Sequence, residues 1–203
     1  MSITIYLGRH GETDLNSEEK LRGWKDEKLN EDGIREAKEM GIKMARYAID
    51  RIYCSDLDRA DHTAQIVAKA HGLRPISKRW FRPINFGEWN GQPIKAIKDK
   101  MQQLLDKWKT DPETKAPGGE SFEDFQNRNL EGLHAVVNSA RDKEEIMIVA
   151  HLRNCLLFWA LAKNGEPLEG DALDLIDDKH YHQDSGKVSK FVWDGSLEFK
   201  GKI

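Results

Sequence analysis

Residues Ile146-Met147-Ile148-Val149-Ala150 are apolar at every position, and this run restricts the fold more than any other stretch. A strand with one wet face alternates polar and apolar. A strand apolar on both faces has to be covered on both, as in a parallel sheet lying between helical layers. Ile3 to Leu7 reads as a second buried strand, and Arg51 to Ser55 and residues 73–77 as two more. Between them, apolar residues recur at helical spacing. Asn30 caps a helix to Ala48 with Ile34, Ala37, Gly41, Met44, Ala45 and Ala48 on one face; Asp56 or Asp58 caps the next. Ile94, Ile97, Met101, Leu104, Leu105 and Trp108 form a further stripe, read as packing. Ser121 and Asp124 make a capping-box start for a helix whose apolar face is Phe122, Phe125, Leu133, Val136, Val137 and Ala140. The expected fold is α/β: three layers, a mostly parallel central sheet and helices on both faces. A closing hairpin, Val188–Trp193 and Leu197–Ile203, turns at Asp194-Gly195.

In open α/β sheets, ligands bind beyond the carboxyl ends of strands. The first strand ends in Gly8-Arg9-His10-Gly11-Glu12-Thr13, and the Ile146–Ala150 strand ends in His151. A guanidinium offers a fixed fork for phosphate oxygens, and an imidazole can act as nucleophile or proton carrier near neutral pH. The pairing suits an anionic substrate. Arg59 is placed in a first helical turn, where the helix dipole disfavours a cation, so the position hints at a ligand. A surface salt bridge is the plainer alternative.

These segments resemble the histidine phosphatase superfamily, or phosphoglycerate mutase-like family. Arg9-His10-Gly11-Glu12-Thr13 matches its first motif, and Ser55 to Ala64 looks like its Ser-x-Leu-x-Arg-Ala-x-x-Thr-Ala signature. Phe81 to Gly91 and Pro117-Gly118-Gly119-Glu120-Ser121 are similar to two further motifs, in the family's order up to about residue 155. The resemblance implies a phosphoglycerate mutase-like fold over a single domain, 1–203, with a cap-like insertion around 93–120. It also implies His10 as a nucleophile that becomes phosphohistidine, and Arg9, Arg59 and His151 around the phosphoryl oxygens. Asn16, Arg22 and Gly23 fall at phosphate-binding positions of the loop after the first strand, although each taken alone reads as an ordinary loop residue. A backbone N–H at Leu152 joins the same set, and Arg153 adds a cation or lies on the helix surface.

The chain departs from the pattern in three places. Pro83 stands where the family usually has a carboxylic acid that protonates the leaving oxygen. Glu88, five residues on, is the candidate substitute acid if its loop turns inward; otherwise it faces solvent. Asn90 replaces a Glu, and Leu152-Arg153 replaces a glycine-rich pair after the second histidine.

The remaining features bound the reading. A net charge of −3 argues against a general nucleic-acid binder. The longest apolar run, Cys155 to Ala162, is too short to span a bilayer, and the chain enters its first strand without room for a signal peptide. Cys54 and Cys155 read as packing residues in a reducing compartment, so cytoplasm is the expectation. His62 reads as a surface or packing residue. His180 and His182 alternate as metal ligands can, but no third ligand is obvious, and neither a metal nor a cofactor is expected. The expected partner is a small phosphorylated metabolite, with no nucleic acid and no membrane; a homodimer is left open. Three functions compete: a phosphatase acting on a small phosphomonoester, a cofactor-dependent mutase, and a degenerate phosphate-ligand binder. Two histidines with opposite protonation needs should titrate as a coupled set and place the pH optimum near or below neutral.

Overall fold

The computed structural model describes residues 1–169 and 183–203. Six strands form one sheet: β1 (Ile3–Arg9), β2 (Arg51–Cys54), β3 (Ile76–Ser77), β4 (Glu145–Ala150), β5 (Val188–Trp193) and β6 (Leu197–Lys202). Their order is β3-β2-β4-β1-β5-β6. β1, β2, β3 and β4 run parallel, while β5 and β6 close one edge antiparallel. The α-helices among the described residues are α1 (Asp14–Ser17), α2 (Glu31–Met44), α3 (Asp58–Ala68), α4 (Ile94–Trp108), α5 (Phe122–Asn138) and α6 (Leu152–Asn164).

Two cores, one on each face, give the three layers. Ile3, Ile5 and Leu7 of β1 and Ile146 and Ile148 of β4 pack with Phe125, Val136, Leu157 and Phe158 of α5 and α6. Tyr6, Met147 and Val149 point the other way, into Met40, Met44, Ala64 and Val67 of α2 and α3. The period-2 alternation of a strand thus splits one apolar run between two helical layers. Membrane-crossing length is absent: no helix among the described residues is long and apolar enough to span a bilayer.

Several expectations shift. The buried face of α2 is Gly33, Ala37, Met40, Gly41 and Met44, and Ala45 and Ala48 are exposed because the helix stops at Met44. Asn30 does cap it, accepting from the Gly33 N–H at 2.8 Å. β3 shrinks to two exposed residues, since it is an edge strand paired on one side only. The N-cap of α3 is Leu57, with no side-chain cap, because Asp56 is drawn off into a bidentate pair with Arg82 (2.7 and 2.8 Å). Ser121 and Asp124 cap α5 reciprocally, at 3.0 and 3.2 Å. Cys54 and Cys155 are free and buried. His62 is exposed on α3. His180 and His182 lie outside the described residues.

Candidate active site

β1 and β4 are adjacent and parallel, with Arg9 opposite Ala150, so the residue following each strand emerges at the same sheet end. Those residues are His10 and His151. Their ring centroids lie 5.0 Å apart at 62°. Both are buried, at 1% and 3% exposure, and both line a cavity of about 180 Å³.

The Nδ1–H of His10 donates to the carbonyl of Gly11 at 2.6 Å. A carbonyl can only accept, so Nδ1 carries the proton and Nε2 keeps its lone pair. This sets the tautomer a nucleophile requires. Gly11 is itself anchored, its N–H donating to Thr63 Oγ1 at 3.1 Å while that hydroxyl donates to the Arg59 carbonyl at 2.8 Å. A Cβ on Gly11 would fall 2.3 Å from the Gly33 carbonyl oxygen, and one on Gly33 would fall 2.0 Å from that of Glu12. Only two glycines allow the loop to meet the start of α2.

Arg59, Arg22, Gly23 and Leu152 line the cavity with the histidines. The Arg59 guanidinium donates to the carbonyls of Lys25 (2.9 Å) and Gly23 (2.8 Å), while its buried Nε has no hydrogen-bond partner among the described residues. Gly23 has φ +48°, and a Cβ there would meet Asn90 Oδ1 at 1.9 Å, so glycine is required for the carbonyl to reach Arg59. Leu152 is the first residue of α6, whose positive dipole end therefore opens at the cavity. Arg9 sits beside this group without lining the cavity, its Nη1 donating to the Gln183 carbonyl at 2.7 Å. Gln183 also donates to the carbonyls of Leu7 and Lys187, at 3.0 and 2.7 Å.

Asn16 is not brought to the cavity. Its Oδ1 accepts from Thr13 Oγ1 at 2.8 Å and completes the cap of α1. Glu88 is exposed on a short 3-10 turn, Gly87–Trp89, and does not line the cavity either. The backbone turns it outward because its own N–H is held by the Pro117 carbonyl at 2.9 Å. Pro83 does line the cavity, beside Ile84, Phe86 and Ile94; Lys20, Leu21 and Arg153 complete the wall. Ile94 is the part of the 93–120 stretch that reaches the cavity, whereas Leu104 and Trp108 join the main core.

Burial pushes both imidazoles well below their ordinary pKa. For His10 the next causes are Arg59, Arg22 and Arg9; for His151 they are Arg59, His10, Arg22 and Arg128. Both rings are therefore neutral in the ligand-free protein, whereas charge on His151 would serve catalysis better. Among the described residues, neither buried nitrogen of His151 has a hydrogen-bond partner. A bound dianion would accept from this ring and offset the arginine field that discharges it. Arg22 is lowered to about 9 and Arg59 to about 10, chiefly by burial, so both stay charged near neutral pH.

Arg128 on α5 is a residue the sequence did not single out. Its Nη1 donates to the carbonyls of Arg79, Trp80 and Arg82, and its Nη2 to Pro83 and to Glu120 Oε1. Trp24 Nε1 donates to the Pro83 carbonyl at 2.8 Å, and Asn154 donates to that of Arg82 at 3.0 Å. One guanidinium thus holds the segment that carries Pro83, and the nearby Gly118-Gly119-Glu120 motif supplies its counter-charge.

The profile of the histidine phosphatase superfamily (branch 1) matches residues 5–185. The chain belongs to the histidine phosphatase superfamily. The protein named "Probable phosphoglycerate mutase GpmB" of Yersinia pestis is 32% identical to this superfamily member over 138 residues, 68% of this chain and 62% of that protein. The alignment thus spans less than two thirds of that relative's length. YhfR of Bacillus stearothermophilus is similar in structure, with a TM-score of 0.81 at 28% identity, covering 98% of this chain and 95% of that one. The α-ribazole phosphatase of Shigella flexneri shares the fold, with a TM-score of 0.79 at 23% identity and the same coverage. The phosphoglycerate mutase-like architecture expected from the sequence is the one found. Among the described residues, no group of three His, Cys, Asp or Glu side chains is placed to hold a metal ion.

Proposed function

We propose that this protein hydrolyses a small phosphomonoester through a phosphohistidine on His10. The observation that carries the reading is the Nδ1–H bond from His10 to the Gly11 carbonyl, which leaves Nε2 unprotonated in a cavity lined by Arg22, Arg59 and His151. Nε2 attacks phosphorus, an N–P bond forms, and the bond from phosphorus to the leaving oxygen breaks. Water then attacks phosphorus, returns the electron pair to Nε2 and releases orthophosphate, its surplus proton passing to solvent. Arg22, Arg59 and the N-terminal turn of α6 fix the charge of the equatorial oxygens in advance, and the charge of Arg9 adds to theirs at His10. His151 gains its proton as the phosphoryl group arrives and stabilises the transition state by donating to an oxygen.

The test is hydrolysis of a nitrophenyl phosphate in metal-free buffer from about pH 4.5 to about pH 9, beside His10→Ala. Turnover by the wild type, an acid-labile phosphoenzyme after quenching, and loss of both in the variant are the expected results. Phosphate binding with neither turnover nor phosphoenzyme would establish a degenerate binder instead. Turnover that depends on 2,3-bisphosphoglycerate would establish a mutase.

A further inference from the structure

The part of the cavity lining around Pro83, where the resemblance implies that a leaving oxygen is protonated, has a chemistry of its own. Its wall is Pro83, Ile84, Phe86 and Ile94, with Lys20 and Arg153 also in the lining. No carboxyl, thiol or hydroxyl side chain is among the described residues that line it. The carboxylates packed around the site are committed as acceptors. Asp56 is clamped by Arg82, and Glu120 accepts from Arg128 and from the Asn85 N–H, both at 2.7 Å. Glu27 accepts from the Leu15 N–H (3.2 Å), and Glu12 Oε1 from Asn30 (3.0 Å). A carboxylate oxygen held in this way is not free to turn towards a leaving oxygen, and none of these side chains lines the cavity.

An alkoxide is too basic to depart without a proton near neutral pH, whereas a phenolate, enolate, carboxylate or phosphate departs as a stable anion. We propose that this site selects phosphoryl compounds whose leaving group departs as such an anion (aryl and enol phosphates, acyl phosphates and phosphoanhydrides) and turns over phosphate esters of simple alcohols and sugars poorly. The inference rests on the phosphohistidine reading above and names its substrate class. In the first step the Nε2 lone pair of His10 forms the N–P bond while the P–O bond breaks. Both electrons of that bond stay on the departing oxygen, which leaves unprotonated towards the cationic lining of Lys20 and Arg153. Hydrolysis of the phosphohistidine then proceeds as described, with no further acid required.

A leaving-group series tests this. The kcat/KM values of aryl phosphates of increasing phenol pKa, acetyl phosphate and glycerol phosphate report the steps up to phosphorylation, before water enters. The expected result is a steep fall with leaving-group pKa, nitrophenyl phosphate exceeding glycerol phosphate by about 10³-fold or more, the scale of a missing general acid. Pro83→Glu, which keeps the backbone carbonyl bound by Trp24 and Arg128, is expected to raise glycerol phosphate turnover about 10- to 100-fold and flatten the series. A shallow series in the wild type, with glycerol phosphate within a few-fold of nitrophenyl phosphate, would overturn the inference and leave the phosphatase reading intact. Should Pro83→Glu not fold, the wild-type series decides alone. Absence of both turnover and phosphoenzyme across the whole series would remove the phosphatase reading, and this inference with it.

Discussion

His10 and His151 follow adjacent parallel strands and share a cavity, a neutral state and an arginine field, yet their hydrogen bonding differs. His10 is tied to the Gly11 carbonyl, so its tautomer is settled before any ligand arrives. His151 has no hydrogen-bond partner at either nitrogen among the described residues, which leaves its tautomer unset. On the proposed mechanism one imidazole serves as a fixed lone pair and the other as a charge that answers the substrate. The difference comes from the backbone. After β1 the chain turns back so that a carbonyl meets the ring, while after β4 it runs directly into α6 with His151 as N-cap.

Breaking that division at His10 should have the largest effect. His10→Asn should lower kcat/KM by at least about 10³-fold and abolish the phosphoenzyme, because the proposed nucleophile is gone. His151→Gln should cost less, about 10²- to 10³-fold, with phosphoenzyme still detectable by rapid quench, since it removes a stabilising donor only. Equal losses in the two variants would erase the distinction drawn here.

Arg59→Met probes what the two rings share. Arg59 is the largest charged cause of the depressed pKa in both. Its removal should raise the titration midpoints of both imidazoles in the ligand-free protein, read from their ring proton resonances by NMR. Arg128→Met should move His151 more than His10, because its charge is among the leading causes of the lowered pKa in the former and not in the latter. The same variant should lower kcat/KM about tenfold by loosening the Pro83 segment, a modest misplacement by the scale of positioning effects.

The smallest expected effect concerns stability. Unfolded histidine titrates near about 6.5. In the folded protein both rings are held lower, so below that pH the unfolded chain binds protons that the folded chain does not. Stability therefore falls with falling pH, each ring contributing up to about 1.4 kcal/mol per pH unit until its folded pKa is reached. Melting curves at about pH 7 and about pH 5.5 should show a drop, and the drop should shrink in His151→Gln.

Both ends of the comparison were visible in the sequence, for a physical reason. An all-apolar strand followed by a histidine is a local pattern, and two of them in parallel place their ends together. What could not be read was how backbone carbonyls are used. Asn16 carried the right residue type for a phosphate, but Thr13 is nearer and takes it as a cap. Asp56 looked like a helix cap until Arg82, 26 residues away, claimed it. Arg128 sits where α5 turns from its apolar to its polar face, and nothing local marks a residue whose partners are carbonyls 45 to 49 positions earlier. The buried face of α2 was misjudged because Gly33 carries no apolar side chain, yet it is buried by the close approach of another backbone.

That approach also bears on motion. Gly11 and Gly33 bring a loop and the first turn of a 14-residue helix together with no side chain between them. Side chains cushion most packed elements, since rotamers can yield when one element shifts. Here there is no cushion, and a displacement of α2 is transmitted to the loop undamped. The loop that carries His10 is thereby as steady as the helix it meets, and the Gly11 amide, held by Thr63 Oγ1 of α3, should exchange with solvent only when the loop parts from that helix.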